Sequence, residues 1–558
     1  MSVIAEKKPK SLPFNLRLDF WTFVIIAAFV LIGFFLVYPL FNIFVNSFWV
    51  DGQLTFANYK EFFSYKYYYS ALLNSFIVST AATFFACCLG IPIAYIMSRF
   101  NIPFKGLFNI LIILTLLSPP FIGAYSWIIM LGNNGFITNL LSGWGIKIPS
   151  IYGLHGMIWV FTLQFYPHIY LYVSGALKTI DTSLEEASES LGISGWRRIR
   201  KVTLPLIFPT ISTGALMVFM ASFADFGTPL LIGQGINVLP ILAYEQFISE
   251  LGSNPAMAST LSMILLTVTT LVLFMQRYVV SKKTYTMSAL RPPKVIQLSP
   301  VKRTLATLVV MAVVVLSVIP QATVIVTSFI KRNGPVFVGE FSLDSYREVL
   351  YKVPDSITNT FMYATIAIVF MVIAGLLLSY VVVRRKSKLT SILDALIMIP
   401  YVVPGTVLGI SLVIAFNEPP IELTGTWIIL VISYIVRKLP YTMRSSTAIL
   451  YQIDNSVEEA SISLGVPPMK TFFKTTAVLM IPGVLSGAIL SWVTTINELS
   501  STIILYYGAT ATITVSIYSE VFTANFGTAA ALASILSLAT ILSLIIIKLL
   551  AGNKEINI

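Results

Sequence analysis

The sequence predicts an all-α, polytopic membrane protein with about twelve transmembrane helices, arranged as two parallel six-helix repeats. Three observations predict it. The chain is 56% hydrophobic and 11% charged, with mean hydropathy +0.85, far more apolar than a globular chain. It holds about twelve apolar stretches of the roughly 20 residues that a bilayer crossing needs. A polar block also occurs twice: EEASESLGISGWRRIRKVTLPLIFP at 185–209 aligns without a gap to EEASISLGVPPMKTFFKTTAVLMIP at 458–482.

The apolar stretches lie near 20–48, 71–98, 106–132, 153–178, 207–232 and 256–280, then near 304–329, 358–383, 390–416, 425–450, 480–507 and 528–550. Each is expected as a helix, because backbone in hydrocarbon must satisfy its own hydrogen bonds. The first is read as a retained start-transfer helix: its apolar run is too long for a cleaved signal, and no small-residue cleavage site follows. Cys87 and Cys88 are adjacent within a span and point apart, which disfavours a disulfide or a metal site.

The net charge of +12 raises nucleic acid as a partner, but the placement of charge excludes it. Lys7, Lys8, Lys10 and Arg17 precede the first span. Arg277, Lys282, Lys283, Arg291, Lys294, Lys302 and Arg303 lie between the halves, and Arg384, Arg385, Lys386 and Lys388 follow the eighth span. The segment 233–255 has Glu245 and Glu250 and no base. With alternating crossings the basic segments share one side, which the positive-inside rule makes cytoplasmic, together with both termini and both polar blocks.

The duplication extends beyond the blocks. Pro167 matches Pro440, Gly214 matches Gly487 and Asp225 matches Glu498, all at the offset of the blocks. The expected organisation is a first repeat over 1–281 with its motif at 181–209, a cytoplasmic linker over 282–303, and a second repeat over 304–558 with its motif at 454–482. An even number of spans per half makes the repeats parallel, a geometry with a pathway between the halves.

Within each block, Ser183-x-x-Glu186 and Ser456-x-x-Glu459 fit a capping box. Glu185 and Glu186 fall in the first turn, where the helix dipole favours negative charge. Gly192 and Gly465 follow one or two turns later, where a left-handed residue ends a helix. A second helix then starts at Ser194 in one half and at Pro467–Pro468 in the other. One such block reads equally as a plain interhelical loop; its recurrence points to two matching docking sites.

The pattern Glu-Ala-(Ala/Ser)-x-x-Leu-Gly, followed by a basic amphipathic stretch and Leu-Pro, resembles the cytoplasmic motif of ATP-binding-cassette importer permeases of the binding-protein-dependent type. Leu204–Pro205 completes the first copy, whereas the second has Ala477–Val478 there. The resemblance implies the type I importer permease fold. It implies that Glu185, Glu186, Ala187, Gly192, Glu458, Glu459, Ala460 and Gly465 shape two coupling helices that dock two copies of an ATPase subunit. It also implies an extracytoplasmic substrate-binding protein as partner, ATP bound by the separate subunit, no cofactor in this chain, and residence in a bacterial cell membrane. The fused halves, with ADFGTPLL at 224–231 and NELSSTIILYYG at 497–508, resemble ferric iron permeases in particular.

Asp225 and Glu498 are acids within apolar spans at equivalent positions, where charge is expensive and faces a pathway or a partner. They are the candidate pathway residues for a cationic cargo, against a structural role in bonding a neighbouring helix. Arg437 and Lys438 lie just before Pro440 without counterparts in the first half, and are read as partners of an acid. His155 and His168 do not make a metal cage, and neither a phosphate-binding loop nor a catalytic constellation is present. The chain is therefore not read as an enzyme. The alternatives are the same machinery for thiamine, polyamine or phosphonate, and an ion-gradient-driven carrier, which has no need of paired docking loops.

Overall fold

The computed structural model describes residues 19–50, 52–249, 253–282, 295–334 and 336–551. Lys7, Lys8, Lys10, Arg17, Glu250, Lys283, Arg291, Lys294, both termini and most of the expected linker lie outside the described residues.

In the first half, α1 is Phe20–Ser47 and α2 is Lys66–Arg99. They are followed by α3 (Lys105–Leu117), α4 (Pro120–Leu131), α5 (Leu154–Lys178) and α6 (Thr182–Ser190). Then come α7 (Gly195–Phe223), α8 (Gly227–Ile232) and α9 (Pro255–Lys282). The second half repeats the order: α10 (Pro300–Ser328), α11 (Pro354–Arg384), α12 (Lys388–Met398), α13 (Gly405–Phe416) and α14 (Trp427–Gln452). It ends with α15 (Ser456–Ser463), α16 (Pro468–Ile496), α17 (Thr502–Leu505) and α18 (Phe526–Ala551). One small antiparallel hairpin follows the first span of each half, with Trp49 opposite Leu54 in the first and Arg332 opposite Phe337 in the second.

Among the described residues, eight helices are long and apolar enough to cross a membrane, or ten if each of two bent pairs counts as one span. The straight spans expected at 106–132 and 390–416 are corrected: the chain bends by 99° between α3 and the segment after Pro120, and by 107° between Lys388–Tyr401 and α13. Pro119, Pro120, Pro400 and Pro404 occupy these bends, and proline both removes an amide donor and disfavours a helical residue before it. The expected spans at 153–178 and 425–450 are helices of 25 and 26 residues, α5 and α14. They are less apolar because they face protein: Tyr166, Gln164, Lys438 and Thr442 are all buried.

Glycines set the closest helix approaches, as small residues do where backbones must meet. A Cβ on Gly90 of α2 would lie 2.7 Å from Ile169 of α5, and one on Gly375 of α11 would lie 2.9 Å from Thr442 of α14. The two pairs are equivalent in the duplication. A Cβ on Gly487 would likewise meet Ser445 at 2.5 Å.

The halves exchange their first spans. In α1, Trp21 stacks on Tyr380 (4.3 Å) and meets Phe472 edge-on (4.8 Å), both in the second half. In α10, Ser317 bonds Tyr166 (3.1 Å) and Thr115 (3.4 Å) in the first half. The Ile296 amide donates to the Arg99 carbonyl (2.8 Å), so α10 leaves from the end of the bundle where α2 finishes. After one crossing, α11 returns to that end at Arg384. Both polar blocks therefore sit at one end of the bundle.

Candidate functional site

The first site is the pair of polar blocks. The expected capping boxes at Ser183 and Ser456 do not form. An aspartate two residues earlier takes over: the Ser183 amide donates to Asp181 Oδ1 and the Ser456 amide to Asp454 Oδ1, each at 2.8 Å. A carboxylate here satisfies an orphan amide and meets the positive end of the helix dipole. That bond holds the exposed Asp454 carboxyl below its ordinary range. Both helices end in the same turn. Gly192 has φ +74° and Gly465 φ +84°. Ile193 N–H donates to Ser188 O (2.9 Å) and Gly192 N–H to Glu189 O (2.9 Å). In the second copy Val466 N–H donates to Ser461 O (3.2 Å) and Gly465 N–H to Ile462 O (2.9 Å). These are the two crossed bonds of a left-handed helix end.

α7 and α16 then begin, each with a short helical stretch (Gly195–Arg198, Pro468–Thr471) followed by a wider five-residue turn. Glu186, Ala187, Glu459 and Ala460 are exposed. Matched apolar side chains lie open beside them: Leu191 is 79% and Leu464 85% exposed, with Trp196 and Met469 also exposed. Exposed apolar side chains therefore recur at the same two places on both polar turns. The sequence reading passed over them, although Ser-Leu-Gly recurs in both blocks.

Glu185 and Glu458 point the other way. Glu185 Oε1 lies 2.6 Å from Nη2 of Arg99, which is 2% exposed. Glu458 Oε1 accepts from Arg384 Nε (3.1 Å), and its Oε2 accepts from Tyr380 OH (3.0 Å). Arg99 was not singled out from the sequence; its signal is that Tyr95-x-x-x-Arg99 and Tyr380-x-x-x-Arg384 end equivalent spans.

The second site lies at the first bend and the breaks that end α7 and α16. Asp225 and Glu498 are not inside continuous helices as expected. They follow the ends of α7 and α16, and each accepts from the amide three residues on: Thr228 N–H to Asp225 Oδ2 (2.9 Å) and Ser501 N–H to Glu498 Oε1 (3.2 Å). An acid there starts α8 and α17 by capping free amides. Both acids line one cavity of about 210 Å³, with Leu117–Phe121 from the first bend, and with Lys438, Asn497 and Ser500. Irregular backbone at membrane depth persists only where protein or a cavity surrounds it.

The symmetry of the two acids ends at their partners. Glu498, 6% exposed, is paired with Arg437 and with Lys438 Nζ (2.8 Å). At the offset of the duplication, Gln164 and Phe165 stand in the first half. Gln164 donates instead to Thr115 O (2.8 Å) and Ser118 O (2.6 Å), bracing the first bend. His168 packs edge-on against Phe165 (5.8 Å), while His155 bonds Ser150 O at the start of α5.

Comparison with known proteins matches residues 90–285 and 371–554 to the family described as "Binding-protein-dependent transport system inner membrane component". The ferric transport system permease protein FbpB of Actinobacillus pleuropneumoniae is 30% identical over 543 residues, which is 95% of this chain and 78% of that protein. FbpB 1 of Haemophilus influenzae is 31% identical over 503 residues, covering 85% of this chain and 76% of that protein. Among solved structures, the inward-facing MetNI methionine ABC transporter aligns with TM-score 0.30 and 21% identity, over 38% of this chain and 95% of that one.

Proposed function

The chain belongs to the family of binding-protein-dependent transport system inner membrane components, and from that premise we propose that its cargo is ferric iron. It is a multi-pass membrane permease of an ATP-binding-cassette importer, built as two fused repeats, and the family works with ATPase and substrate-binding partners. The observation that carries iron is similarity to a ferric transport permease along 95% of the chain.

In this reading the protein sits in the bacterial inner membrane with both termini in the cytoplasm. Glu186, Ala187, Gly192, Glu459, Ala460 and Gly465, with Leu191 and Leu464, present two coupling helices to two ATPase copies. ATP is bound and hydrolysed there and not by this chain. A binding protein delivers cargo to the opposite face. Cargo then passes the cavity between Asp225 and Glu498, where the first bend and the breaks after α7 and α16 leave polar side chains and backbone uncovered by helix. Discontinuous helices of this kind form the substrate sites of other transporters. Arg437 and Lys438 bring two positive charges to the single carboxylate of Glu498, so Asp225 is the carboxylate left to meet a cation, and the four groups together carry no net charge. A single carboxylate binds weakly, as conduction requires.

Uptake of radiolabelled ferric iron in cells that depend on this permease tests the cargo, with thiamine, a polyamine and a phosphonate as competing substrates. Iron-dependent uptake that the other three leave unchanged is expected. Uptake of another cargo with no iron signal overturns the assignment and leaves the importer reading in place.

A further inference from the structure

We propose that Arg99–Glu185 and Arg384–Glu458 are a pair of internal latches that carry movement of each polar block into the second span of its half. This rests on the reading that the blocks receive the ATPase, and it assigns Glu185 and Glu458 a different role from their neighbours. Glu186 and Glu459 stay on the exposed face of the block. Glu185 and Glu458 face inward onto arginines of this same chain.

Four observations carry the proposal. The contact occurs twice, on the last residue of α2 and the last residue of α11, although the chain between arginine and glutamate differs in length by twelve residues (86 from Arg99 to Glu185, 74 from Arg384 to Glu458). A contact kept across that difference is not a by-product of local sequence. Second, the pairs are shielded: the arginine and glutamate side chains are 2% and 16% exposed in one half, 14% and 12% in the other. Separating buried charges is costly, so each pair moves as a unit. Third, the second latch is reinforced, since Arg384 Nη2 also donates to Ile453 O (2.8 Å) just ahead of the block.

Fourth, each latched span leads by close contacts to the cavity. In the first half, Gly90 of α2 lies against Ile169 of α5, and Gln164 of α5 holds the Ser118 carbonyl at the cavity wall. In the second, Gly375 of α11 lies against Thr442 of α14, and Lys438 of α14 holds Glu498. Movement of a block is thus passed through an ion pair, a tightly packed helix pair and a hydrogen-bonded bend. Spatial continuity becomes coupling only when perturbing it changes the linked activity.

The test uses the full complex of permease, ATPase and binding protein in proteoliposomes. Arg99→Met, Arg384→Met and their combination are compared with the charge exchange Arg99→Glu with Glu185→Arg. The readouts are ATPase co-purification, stimulation of ATP hydrolysis by the binding protein, and ferric iron transported per ATP. The methionine variants are expected to keep the ATPase subunit and to hydrolyse ATP, while transport per ATP falls by about tenfold, a mid-range value for coupling between sites. The charge exchange is expected to restore most of it, which a merely space-filling role does not allow. If the methionine variants fail to reach the membrane, Glu185→Gln and Glu458→Gln are read by the same ratio. A double variant that keeps transport and stimulation within about twofold of the unaltered protein overturns the latch. So does loss of the ATPase subunit that the charge exchange leaves unrepaired, which would put Glu185 at the partner surface. An unaltered permease that never retains the ATPase overturns the docking reading itself, and the latch with it.

Discussion

Replacing Gly192 and Gly465 by valine tests the docking helices at the point where the structure isolates one physical term. Both glycines are left-handed, with φ +74° and +84°, and a Cβ at either would meet nothing within 4 Å. Steric crowding therefore contributes nothing, and the cost is that of placing an L residue in the left-handed region. That cost is about 1–2 kcal/mol, with a β-branched side chain at the upper end. A shift of that size changes the population of the turn by roughly 5–30-fold. The crossed bonds from Ile193 to Ser188 and from Val466 to Ser461 are what it opposes, so each block should lose its fixed exit angle while the spans still insert. The assay is ATP hydrolysis and transport by the reconstituted complex. Both valine variants are expected to lower transport more than hydrolysis, and the double variant to lower it further. Asparagine at either position, which tolerates the left-handed region, should be close to glycine. If the double valine variant transports normally with full stimulation of the ATPase, the docking assignment is wrong. If asparagine is as damaging as valine, the backbone explanation is wrong.

Asp225→Asn should lower cation transport while sparing assembly and ATPase binding, whereas Glu498→Gln leaves Arg437 and Lys438 uncompensated and should destabilise the protein by about 3–5 kcal/mol; equal thermal stability of the two variants would contradict the pairing. On the opposite end of the bundle, burial pushes the Glu348 carboxyl up, but hydrogen bonds from Lys352, Arg332 and Thr528 outweigh it and hold its pKa at about 2, below the ordinary 4.5. Its contribution is present above pH 4.5 and is lost as pH falls towards 2; after solvent screening it amounts to about 1–2 kcal/mol. The difference in melting temperature between the unaltered protein and Glu348→Gln should therefore shrink across that window, and a difference that stays constant with pH refutes the account. Labels at residues 190 and 462 should report the cytoplasm and a label near 340 the outside; one label on the wrong side breaks the arrangement of spans. Leucine at Gly90 or Gly375 should cost about 1–3 kcal/mol through overpacking, measured as a lower midpoint of thermal unfolding, and an unchanged midpoint would show that the helices do not meet there.

Much of the candidate site was legible because its determinants are local. The left-handed glycines follow from bonds spanning three to five residues, such as Ile193 to Ser188, and such turns depend on residue type alone. The caps were half legible: the blocks start where expected, yet Asp181 and Asp454 accept the amides in place of the serines. Both residue types cap well, and only the backbone angle at the entry decides between them. The pairing of Arg437 and Lys438 with an acid was legible as chemistry, since buried charge needs compensation. Which acid it would be was not, because Glu498 stands 61 residues beyond Arg437.

By itself the sequence determined that this chain lives in a membrane, that it is built from two copies of one helical plan, and that each copy carries a polar turn ending on glycine. Those properties are sums or short-range patterns: total apolar content, span length, and the conformations a few residues allow. The tertiary structure alone decided that α1 crosses to the second half and α10 to the first, that two apolar stretches bend at their prolines instead of crossing straight, and that Asp225 and Glu498 share a cavity with unequal partners. It also decided that Arg99 and Arg384 seize the inward-facing glutamate of each block. An apolar helix in lipid gains little from burying one face rather than another, so its neighbours are chosen by close packing and buried polar bonds. Those terms depend on residues far apart in the chain, and they exist only once the helices have met.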